Sequence, residues 1–416
     1  MQLPERGKSA QEILDALAAK RVRDARWREG RTFGMVYDGG PEVHEIAEAV
    51  AREFLHENAL NTKAFPSLGE IQSEVVGWTA SLLHGDARVA GFMTSGGTES
   101  ILCAVKAARE RAKAERGVTE PELVLAASAH AAFHKAAHYF GLKVHTLPVR
   151  SDFRADVLAM AARVNANTAL IVGSAPQYPQ GVVDPIAELA ELAVQSGASL
   201  HVDACMGGFV LPFAERLGYA ISPWDFRVPG VTTISADLHK LGYAPKGASV
   251  ILHRNKELRK YQTFVFDAWL GGLYASPNLQ GTRAGLPMAC AWAVMQRLGL
   301  EGYDRLTRVT LATRDRMLEG IAAVPGLQVL GKPEAQVVAF SAELGSGIDA
   351  FALGDALLAR GGWHHDRQTP PDSLHSTVSA GNAAVIGEWV HDLAACAEQL
   401  AGKRSADRNT SYATLE

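Results

Sequence analysis

Apolar runs of strand length alternate with segments of helical periodicity between residues 89 and 252, and this alternation limits the possible fold more than any other feature. The runs predict strands at Val89–Thr94, Leu123–Ala127, Ala169–Gly173, Leu200–Asp203, Val231–Ser235 and Ala248–Leu252. The segments between them predict helices at Glu99–Ala114, His130–Phe140 and Pro185–Gln195. Strands and helices that alternate across Gly-rich turns indicate an α/β fold, with a mostly parallel sheet covered by helices on both faces.

The pattern changes on either side of this region. Helical spacing predicts the helices 9–28, 42–57 and 69–84 before it, and the sequence is again helical from Gly285 through Ala323. The elements predicted after that are a strand at Val337–Ser341, a helix at Asp349–Ala359 and a helix at 383–401. This change predicts a smaller C-terminal α+β domain. We expect four parts, which are an N-terminal helical segment (1–60), a large domain (61–290), a small domain (291–402) and a flexible tail (403–416).

Composition excludes several classes of protein. The 416 residues are 47% hydrophobic and 21% charged, which is enough for a large core and more than one domain. A net charge of -4 offers no electrostatic footprint for nucleic acid. The four cysteines form no C-x-x-C pair, so neither a metal site nor a disulfide framework is indicated. Because we see neither a secretory signal nor an apolar run long enough to span a bilayer, we expect a cytoplasmic protein without a membrane anchor.

A glycine- and hydroxyl-rich turn, Thr94-Ser-Gly-Gly-Thr-Glu-Ser100, follows the first predicted strand of this region and opens a helix. Adjacent glycines let backbone N–H groups approach an anion, and a helix N-terminus adds a favourable dipole. The turn is neither the nucleotide-binding G-x-x-x-x-G-K-[ST] loop nor a complete G-x-G-x-x-G motif. It fits a phosphate cradle, and it equally fits a capped helix start in which Thr98 is the N-cap residue.

Asp203 ends the predicted strand Leu200–Asp203. A carboxylate at the carboxyl end of a parallel strand faces the crevice in which α/β folds bind ligands. Beside a pyridine nitrogen it would keep that nitrogen protonated and so make the ring an electron sink. The alternative is an aspartate that caps the following loop.

Lys240 ends the segment Ser-Ala-Asp-Leu-His-Lys after another predicted strand. Burial is expected to lower the pKa of such an ammonium and to free the amine as a nucleophile that forms a Schiff base. The alternative is a solvated surface lysine. A phosphate cradle, a pyridinium partner and a Schiff-base lysine are together what pyridoxal 5'-phosphate needs from a protein.

Six segments carry a resemblance to a known family. They are TSGGTESILCAVKAARE from Thr94, SAHAAFHKAAHYFGLKV from Ser128, VGSAPQYPQGVVDPI from Val172, HVDACMGGFVLPFAERLG from His201, ISADLHKLGYAPKGASV from Ile234 and GGLYASPNLQGTRAG from Gly271. Over about residues 30–380 the chain resembles the pyridoxal-phosphate enzymes of the group II decarboxylase superfamily, and among these the sphingosine-1-phosphate lyases. The resemblance implies the fold-type I architecture of pyridoxal-phosphate transferases.

The resemblance also implies roles around the cofactor. Lys240 would bind pyridoxal phosphate covalently, Asp203 would pair with its pyridine nitrogen, and His130 would stack on its ring. Ser174 would lie near the phenolic side of the ring. The residues implied at the cofactor phosphate are Ser95, Gly96, Gly97, Thr98 and His239, together with Ser276, Gly281 and Thr282 from the other subunit of a homodimer.

The resemblance implies three further residues at an amphiphilic substrate, and Arg283 is a fourth candidate on its chemistry alone. Tyr37 and Lys246 would face a substrate phosphate, and Tyr178 would line the reacting part of the substrate. Without the resemblance, the tyrosines would be ordinary half-buried aromatics and Lys246 a solvated side chain. Arg283 fits bidentate contact with an anion, and a structural salt bridge explains it equally well.

The chain departs from the lyases at one position. Where those enzymes usually have Asn-Pro-Leu-His, with the histidine on the substrate phosphate, this sequence has Asn-Ala-Leu-Asn ending at Asn61. An amide still donates a hydrogen bond, but it lacks the charge that makes such bonds about twice as strong. Recognition of a substrate phosphate is therefore expected to be weaker, or the substrate to be different.

The activity implied is a carbon–carbon lyase that cleaves a phosphorylated long-chain base into a fatty aldehyde and phosphoethanolamine by retro-aldol chemistry. Lys240, Tyr178 and the substrate phosphate are all candidates for the base that takes the hydroxyl proton. One alternative is an amino-acid decarboxylase, in which Arg283 or Lys246 binds the carboxylate. The other is a paralogue that binds the cofactor without catalysis.

Overall fold

A seven-stranded sheet forms the centre of the protein in the computed structural model, which describes residues 2–400, 402–410 and 412. Its strands are β1 (Ala90–Thr94), β2 (Glu122–Ala126), β3 (Lys143–Leu147), β4 (Thr168–Ser174), β5 (Ser199–Asp203), β6 (Val231–Ala236) and β7 (Ser249–His253). They are ordered β1-β7-β6-β5-β4-β2-β3. Strand β7 runs antiparallel to β1 and β6, whereas β3, β2, β4, β5 and β6 pair in parallel. The expected mostly parallel sheet is confirmed.

Helices cover both faces of this sheet. The helices are α1 (Ala10–Lys20), α2 (Pro41–Glu53), α3 (Pro66–Leu82), α4 (Gly97–Arg116), α5 (Ala132–Phe140), α6 (Val157–Ala161), α7 (Ile186–Ser196), α8 (Leu211–Arg216), α9 (Lys256–Arg259), α10 (Gly285–Ala322), α11 (Ala350–Gly361) and α12 (Ile386–Glu398). In β2, Leu123 and Leu125 pack in one hydrophobic cluster, while Val124 and Ala126 pack in another. A strand buried on both faces reads as a continuous apolar run, which is why these strands were recognisable in the sequence.

A second sheet of four antiparallel strands lies in the C-terminal part. Its strands are β10 (Leu327–Val329), β11 (Val337–Ala342), β12 (Asp366–Gln368) and β13 (Ser373–Thr377), in the order β10-β11-β13-β12. Helices α11 and α12 pack on it around the buried Phe340, Trp363 and Trp389. The expected smaller α+β unit is confirmed as an architecture. The predicted N-terminal segment contributes to both cores, since Phe33 packs here and Val43 packs in the large cluster.

Two elements expose large apolar side chains. Helix α1 has no buried residue, and Ile13, Leu14 and Leu17 on it are all exposed. The predicted helix 9–28 is shorter than expected, because α1 ends at Lys20 and is followed by short 3-10 turns. A hairpin of β8 (Phe264–Phe266) and β9 (Tyr274–Ser276) is also apolar and exposed. Its strands are three residues long, too short for a periodicity that the sequence reveals.

The predicted tail 403–416 is not free along its described part. Ser405 Oγ donates to Asp355 Oδ2 at 2.6 Å, and Arg408 Nη1 donates to Asp349 Oδ2 at 2.7 Å. Arg367 Nη1 also donates to the Asp407 carbonyl at 2.6 Å. Residues 405–408 thus make polar contacts with the small domain, and the flexibility expected of the tail stays a prediction. Over the described residues, no helix is long and apolar enough to cross a membrane.

Candidate active site

The carboxyl ends of adjacent strands bring the predicted residues Ser174 and Asp203 to one edge of the large sheet. Ser174 ends β4 in register with Asp203 at the end of β5, and Asp203 is in register with Ser235 of β6. Strand β1 runs in the same direction as β6, so its end at Thr94 carries the glycine turn to this edge too. Ligands of α/β proteins bind in this kind of crevice.

The glycine turn is pressed against residues from two other loops. A Cβ on Gly96 would lie 3.1 Å from His239 Cε1, and a Cβ on Gly97 would lie 2.8 Å from Cys205 Sγ. Helix α4 begins at Gly97 without a side-chain cap, which leaves its first N–H groups available to an anion. The explanation of the turn through an N-cap at Thr98 is therefore wrong, because Gly96 occupies the N-cap position.

Two other members of the turn differ in their contacts. The Ser95 amide and hydroxyl both donate to Glu99 Oε2, at 2.6 and 2.8 Å, so Ser95 is held by its own helix. Thr98 is exposed. Their predicted contacts with a cofactor phosphate stay predictions.

Asp203 is buried at the end of β5. Its Oδ1 accepts a hydrogen bond from the Cys205 amide at 3.0 Å and lies 3.4 Å from Ser235 Oγ. The alternative of a loop-capping aspartate is thus partly right. Over the described residues Asp203 has no cationic partner, and a buried carboxylate without one is suited to bind a protonated ring nitrogen.

Lys240 is paired with a carboxylate that the sequence did not single out. Its Nζ lies 3.0 Å from Oδ2 of Asp237, whose side chain is almost fully buried. Burial favours a lower pKa for Lys240, but the Asp237 carboxylate outweighs it and raises that pKa well above its usual range. Burial likewise favours a higher pKa for Asp237, and the attraction of Lys240 and His239 lowers it instead. The expectation that Lys240 has a lowered pKa is therefore wrong for the cofactor-free protein.

His239 connects the lysine loop with the glycine turn. Its Nδ1 accepts hydrogen bonds from the amides of Gly247 and Ala248, both at 3.2 Å. The proton of the neutral ring is therefore on Nε2, which lies 3.6 Å from Asp237 Oδ2. This N–H points to the region where the resemblance implies a phosphate.

His130 stands at the start of α5. Its Nδ1 accepts a hydrogen bond from the Ala132 amide at 3.1 Å, so the alternative role as a helix cap is real. The ring remains half-buried and faces the site, where burial lowers its pKa despite the nearby Asp203 carboxylate. The two roles are compatible, because capping uses one ring nitrogen and stacking uses the ring face.

A group of aromatic residues lines the other side of the site. Tyr178 donates its hydroxyl proton to Asp366 Oδ2 at 2.7 Å and stacks on His375 with ring centroids 4.0 Å apart. The Tyr412 ring meets the rings of both Tyr178 and His130 edge-on, each at 5.3 Å. Burial, together with the Asp366 carboxylate, raises the pKa of Tyr178 far above its usual range.

Lys246 lies between the lysine loop and Tyr37. Its Nζ donates to the His239 carbonyl at 3.0 Å and stands 4.7 Å from the centre of the Tyr37 ring. Lys246 is exposed, as its alternative interpretation expected, yet desolvation by neighbouring protein atoms and repulsion by the Lys240 ammonium lower its pKa to about 8. Burial raises the pKa of Tyr37 to about 12. The predicted pair of Tyr37 and Lys246 is thus in contact, although its binding of a substrate phosphate stays a prediction.

Arg283 binds other parts of its own chain. The guanidinium donates to Gln72 Oε1 at 2.9 Å and to the Ala59 carbonyl at 2.8 Å, which favours a structural role through polar contacts instead of a salt bridge. Asn61 is exposed, and its Oδ1 accepts from the Lys63 amide at 2.9 Å. Neither residue contacts the Lys246 and Tyr37 pair in the described structure.

The predicted contacts of the 276–282 region with a cofactor remain open. Ser276 is buried and donates to the Asn278 carbonyl at 3.1 Å, while Gly281 and Thr282 are exposed. The Leu279 amide donates to Glu99 Oε1 at 3.0 Å, which places this loop beside the start of α4 in the same chain. Ser174 is held through its amide by Asp184 Oδ2 at 2.9 Å.

Sequence reasoning missed Asp237, Asp366 and Tyr412. The signal for Asp237 was its place in the lysine segment beside His239 and Lys240. An acidic residue in a buried loop needs a partner, and the lysine can provide one. Asp366 and Tyr412 belong to the small domain and the tail, and no local pattern links them to Tyr178.

The residues present fit pyridoxal phosphate on three observations. The glycine turn has uncapped amides and no room for side chains, Asp203 is buried without a cation, and Lys240 lies in the same crevice. Gly97, Thr98 and His239 would hold the phosphate, Asp203 the ring nitrogen and Lys240 the aldehyde carbon.

Comparisons with known proteins support the same cofactor. The family model described as the pyridoxal-dependent decarboxylase conserved domain matches residues 3–343. A sphingosine-1-phosphate lyase from Oryza sativa subsp. japonica is 44% identical over 400 residues, covering 94% of this chain and 73% of the relative.

Solved structures give the same result. The Burkholderia pseudomallei sphingosine-1-phosphate lyase matches with a TM-score of 0.92 at 40% identity, covering 97% of this chain and 93% of that one. A Lactobacillus brevis glutamate decarboxylase matches at 22% identity with a TM-score of 0.84 over 96% and 95% of the two chains, which shows the fold alone. The protein is thus a pyridoxal-phosphate-dependent lyase. The chain belongs to the pyridoxal-dependent decarboxylase family and, within it, to the group of the sphingosine-1-phosphate lyases.

Proposed function

We propose that this protein cleaves the Cα–Cβ bond of a phosphorylated long-chain base and releases a fatty aldehyde and phosphoethanolamine. The observation that carries the proposal is a second amine in the site. Lys240 serves the cofactor, and Lys246 stands beside Tyr37 as a separate cation for a second anionic group. The names of the relatives that share over 40% of the sequence support the same substrate class.

A cavity beside the aromatic group supports an apolar substrate chain. It has a volume of about 610 Å³. Its lining includes the apolar or aromatic residues Ala129, Pro148, Val149 and Phe153 along with His130 and Tyr178, and it also includes the charged side chains of Asp366 and Arg367. Pockets of this size and mainly apolar lining bind molecules with substantial hydrocarbon parts. The substrate phosphate would lie at Lys246, and its hydrocarbon chain in this cavity.

The protein residues orient the reacting bond and hold protons. When bound, pyridoxal phosphate supplies an electron sink for the pair left by the broken bond. Asp203 would hold the ring nitrogen protonated, and His130 would fix the ring plane. Correct orientation of the scissile bond is a large part of the rate gain that such sites provide. Tyr178, tied to Asp366, would position the substrate hydroxyl.

The exposed apolar elements support a homodimer. Helix α1 and the β8–β9 hairpin leave residues such as Leu14, Phe264 and Trp269 in water, and contiguous exposed apolar surface usually marks an interface. The hairpin leads directly into Ser276, so a partner subunit would bring this loop near a second site. We expect sedimentation velocity to give a dimer, whereas a monomer at micromolar concentration would contradict it. We also propose a cytoplasmic location, which fractionation of cells would test.

Decarboxylation of an amino acid is the second candidate, and the name of the family favours it. Against it, both Arg283 nitrogens that were expected at a carboxylate are used by the protein. Incubation with sphingosine 1-phosphate and with sphingosine, followed by aldehyde detection, separates the two. We expect aldehyde from the phosphorylated base. Carbon dioxide release from an amino acid, without aldehyde, would overturn the proposal.

A further inference from the structure

The Asp237 carboxylate is buried with little to compensate its charge. Its side chain is 1% exposed, and neither oxygen has a conventional hydrogen bond among the described residues, although the neighbouring Ser249 hydroxyl helps to lower its pKa. The cation in contact with it is the Lys240 ammonium at 3.0 Å, and Nε2 of the His239 ring lies 3.6 Å away. Because an unpaired buried carboxylate is strongly unfavourable, the lysine charge is what allows this aspartate to be ionised there.

The loop that carries Asp237 fixes the position of the pair. A Cβ on Gly97 would lie 2.9 Å from Asp237 Oδ2, so the glycine turn covers the carboxylate closely. Asp237 ends up between the phosphate cradle and Lys240, three residues before the lysine in the same turn. This spacing lets the ion pair form within one short loop.

Several other titratable groups face Lys240. They are the Cys205 thiol, the phenols of Tyr37 and Tyr412, the Lys246 amine and the rings of His130 and His239. The thiol and Tyr37 keep their protons near neutral pH, because burial raises their pKa values. Asp237 is thus the ionised acid in direct contact with Lys240.

We propose that Asp237 is a positioning residue that keeps the free Lys240 amine protonated until it donates a proton in the reaction. Lys240 then acts as the acid of the reaction and not as its base. The second part rests on the proposed function, and it removes one of the three candidate bases named above. Tyr178 would then be the base only by passing its own proton to Asp366, and the substrate phosphate is the other candidate.

The protons balance in this scheme. The substrate would enter as an ammonium. When its nitrogen replaces Lys240 on the cofactor, two of its N–H protons would pass to the lysine nitrogen, which already carries one proton and would leave as an ammonium. The base takes the proton of the β-hydroxyl as the Cα–Cβ bond breaks and the aldehyde forms. Lys240 then gives one proton to Cα, and the base returns its proton to the nitrogen of the departing amine.

The first test measures the Lys240 amine directly in the full-length, cofactor-free protein. Acetylation by dilute acetic anhydride is followed by peptide mass spectrometry across a pH series, since only the neutral amine reacts. For Asp237→Asn we expect the pH of half-labelling to fall by about 1 unit or more, the usual effect of removing an opposite charge in contact. An unchanged pH of half-labelling would overturn the proposal.

Asp203→Asn is the matched control. It removes the same charge from a buried strand end in the same crevice, but Asp203 does not contact Lys240. We expect it to shift the half-labelling pH much less than Asp237→Asn does. Equal shifts in the two variants would mean that the overall negative charge of the crevice, and not the ion pair with Asp237, determines the pKa of Lys240. This outcome would overturn the proposal.

Thermal unfolding keeps the proposal testable if Asp237→Asn folds poorly. Lys240→Met leaves the buried carboxylate without its cation, and the double variant removes both charges. We expect the double variant to melt at a higher temperature than Lys240→Met, because the two changes are coupled. A double variant that melts at a lower temperature than Lys240→Met would contradict an ion pair between Asp237 and Lys240.

The role as an acid has its own readout. In the loaded Asp237→Asn enzyme, we expect the alkaline limb of kcat to move to lower pH by about the same amount as the labelling curve, with KM unchanged. An unmoved limb would overturn the acid role. If the labelling shift appears but no aldehyde forms from any long-chain base, the proposed function fails while the ion pair stands.

Discussion

The two sides of the active site are built in different ways. On the charged side, Asp203, Asp237 and Lys240 come from neighbouring strand ends, within 38 residues of sequence. On the aromatic side, Tyr37, Tyr178 and Tyr412 come from the N-terminal segment, the large domain and the tail. The charged side is thus a product of local strand–turn geometry, whereas the aromatic side exists only when the whole chain has folded. We expect damage to the first to abolish chemistry and damage to the second to weaken it.

The largest expected effect is that of Lys240→Ala. It removes the covalent anchor and the proton donor, and proton transfer alone is worth about 10²–10⁴-fold. We therefore expect aldehyde formation to fall by more than about 10⁴-fold, measured with sphingosine 1-phosphate. Lys135→Met, which changes an exposed lysine on α5, should keep full activity. Substantial turnover by Lys240→Ala would show that the charged side is not the centre of the reaction.

On the aromatic side, Tyr178→Phe should lower kcat by roughly 10–100-fold, since it removes one positioned hydroxyl. Asp366→Asn keeps an acceptor for that hydroxyl, and we expect a smaller loss. The comparison between kcat and KM decides what the tyrosine does. A loss confined to KM would mean that Tyr178 binds substrate without taking part in proton transfer.

The pair of Lys246 and Tyr37 lies between the two sides. Because the pKa of Lys246 is lowered to about 8, the amine is charged below that pH and neutral above it. The KM for a phosphorylated substrate should therefore rise above pH 8, by up to about tenfold per pH unit. Lys246→Arg stays charged over this range and should remove the rise. A flat KM in the native enzyme up to pH 9.5 would contradict phosphate binding by Lys246.

The smallest expected effect is at Asn61. Replacement by histidine, Asn61→His, would introduce a ring that can carry charge, and charge-assisted hydrogen bonds are about twice as strong as neutral ones. We expect a KM for sphingosine 1-phosphate that is lower by a few-fold. Asn61→Ala serves as the control for loss of the amide. If neither change alters KM, the exposed Asn61 does not touch the substrate.

The same contrast explains what the sequence could predict. The strands at the centre are buried on both faces, so each is a continuous apolar run that predicts a strand. The residues at the ends of these strands could therefore be placed at one edge of the sheet. Asp203, Lys240 and the glycine turn follow from that logic. The short strands β8, β9 and β12 have too few residues to show the alternation of apolar and polar side chains that predicts a strand. Pairing between distant segments produces no pattern in the local sequence.

The electrostatics of Lys240 needed the three-dimensional structure. The sequence indicated that Lys240 is buried, and burial alone favours a neutral amine. The direction of its pKa shift depends instead on Asp237, whose Oδ2 lies 3.0 Å from the Lys240 nitrogen. The bond between Tyr178 and Asp366 spans 188 residues, and the contact of Tyr412 with His130 spans 282. Such contacts follow from packing of one domain on another and from no motif.

The place of Tyr412 in the chain has a consequence for biosynthesis. It lies 172 residues after Lys240, so it leaves the ribosome later than the whole charged side does. The strand ends that carry Asp203 and Lys240 emerge much earlier, and domains generally fold as units in the order of synthesis. A nascent chain can therefore complete the charged side of the site while the aromatic side still lacks Tyr412. The enzyme acquires the means to hold its cofactor before it acquires the means to enclose a substrate.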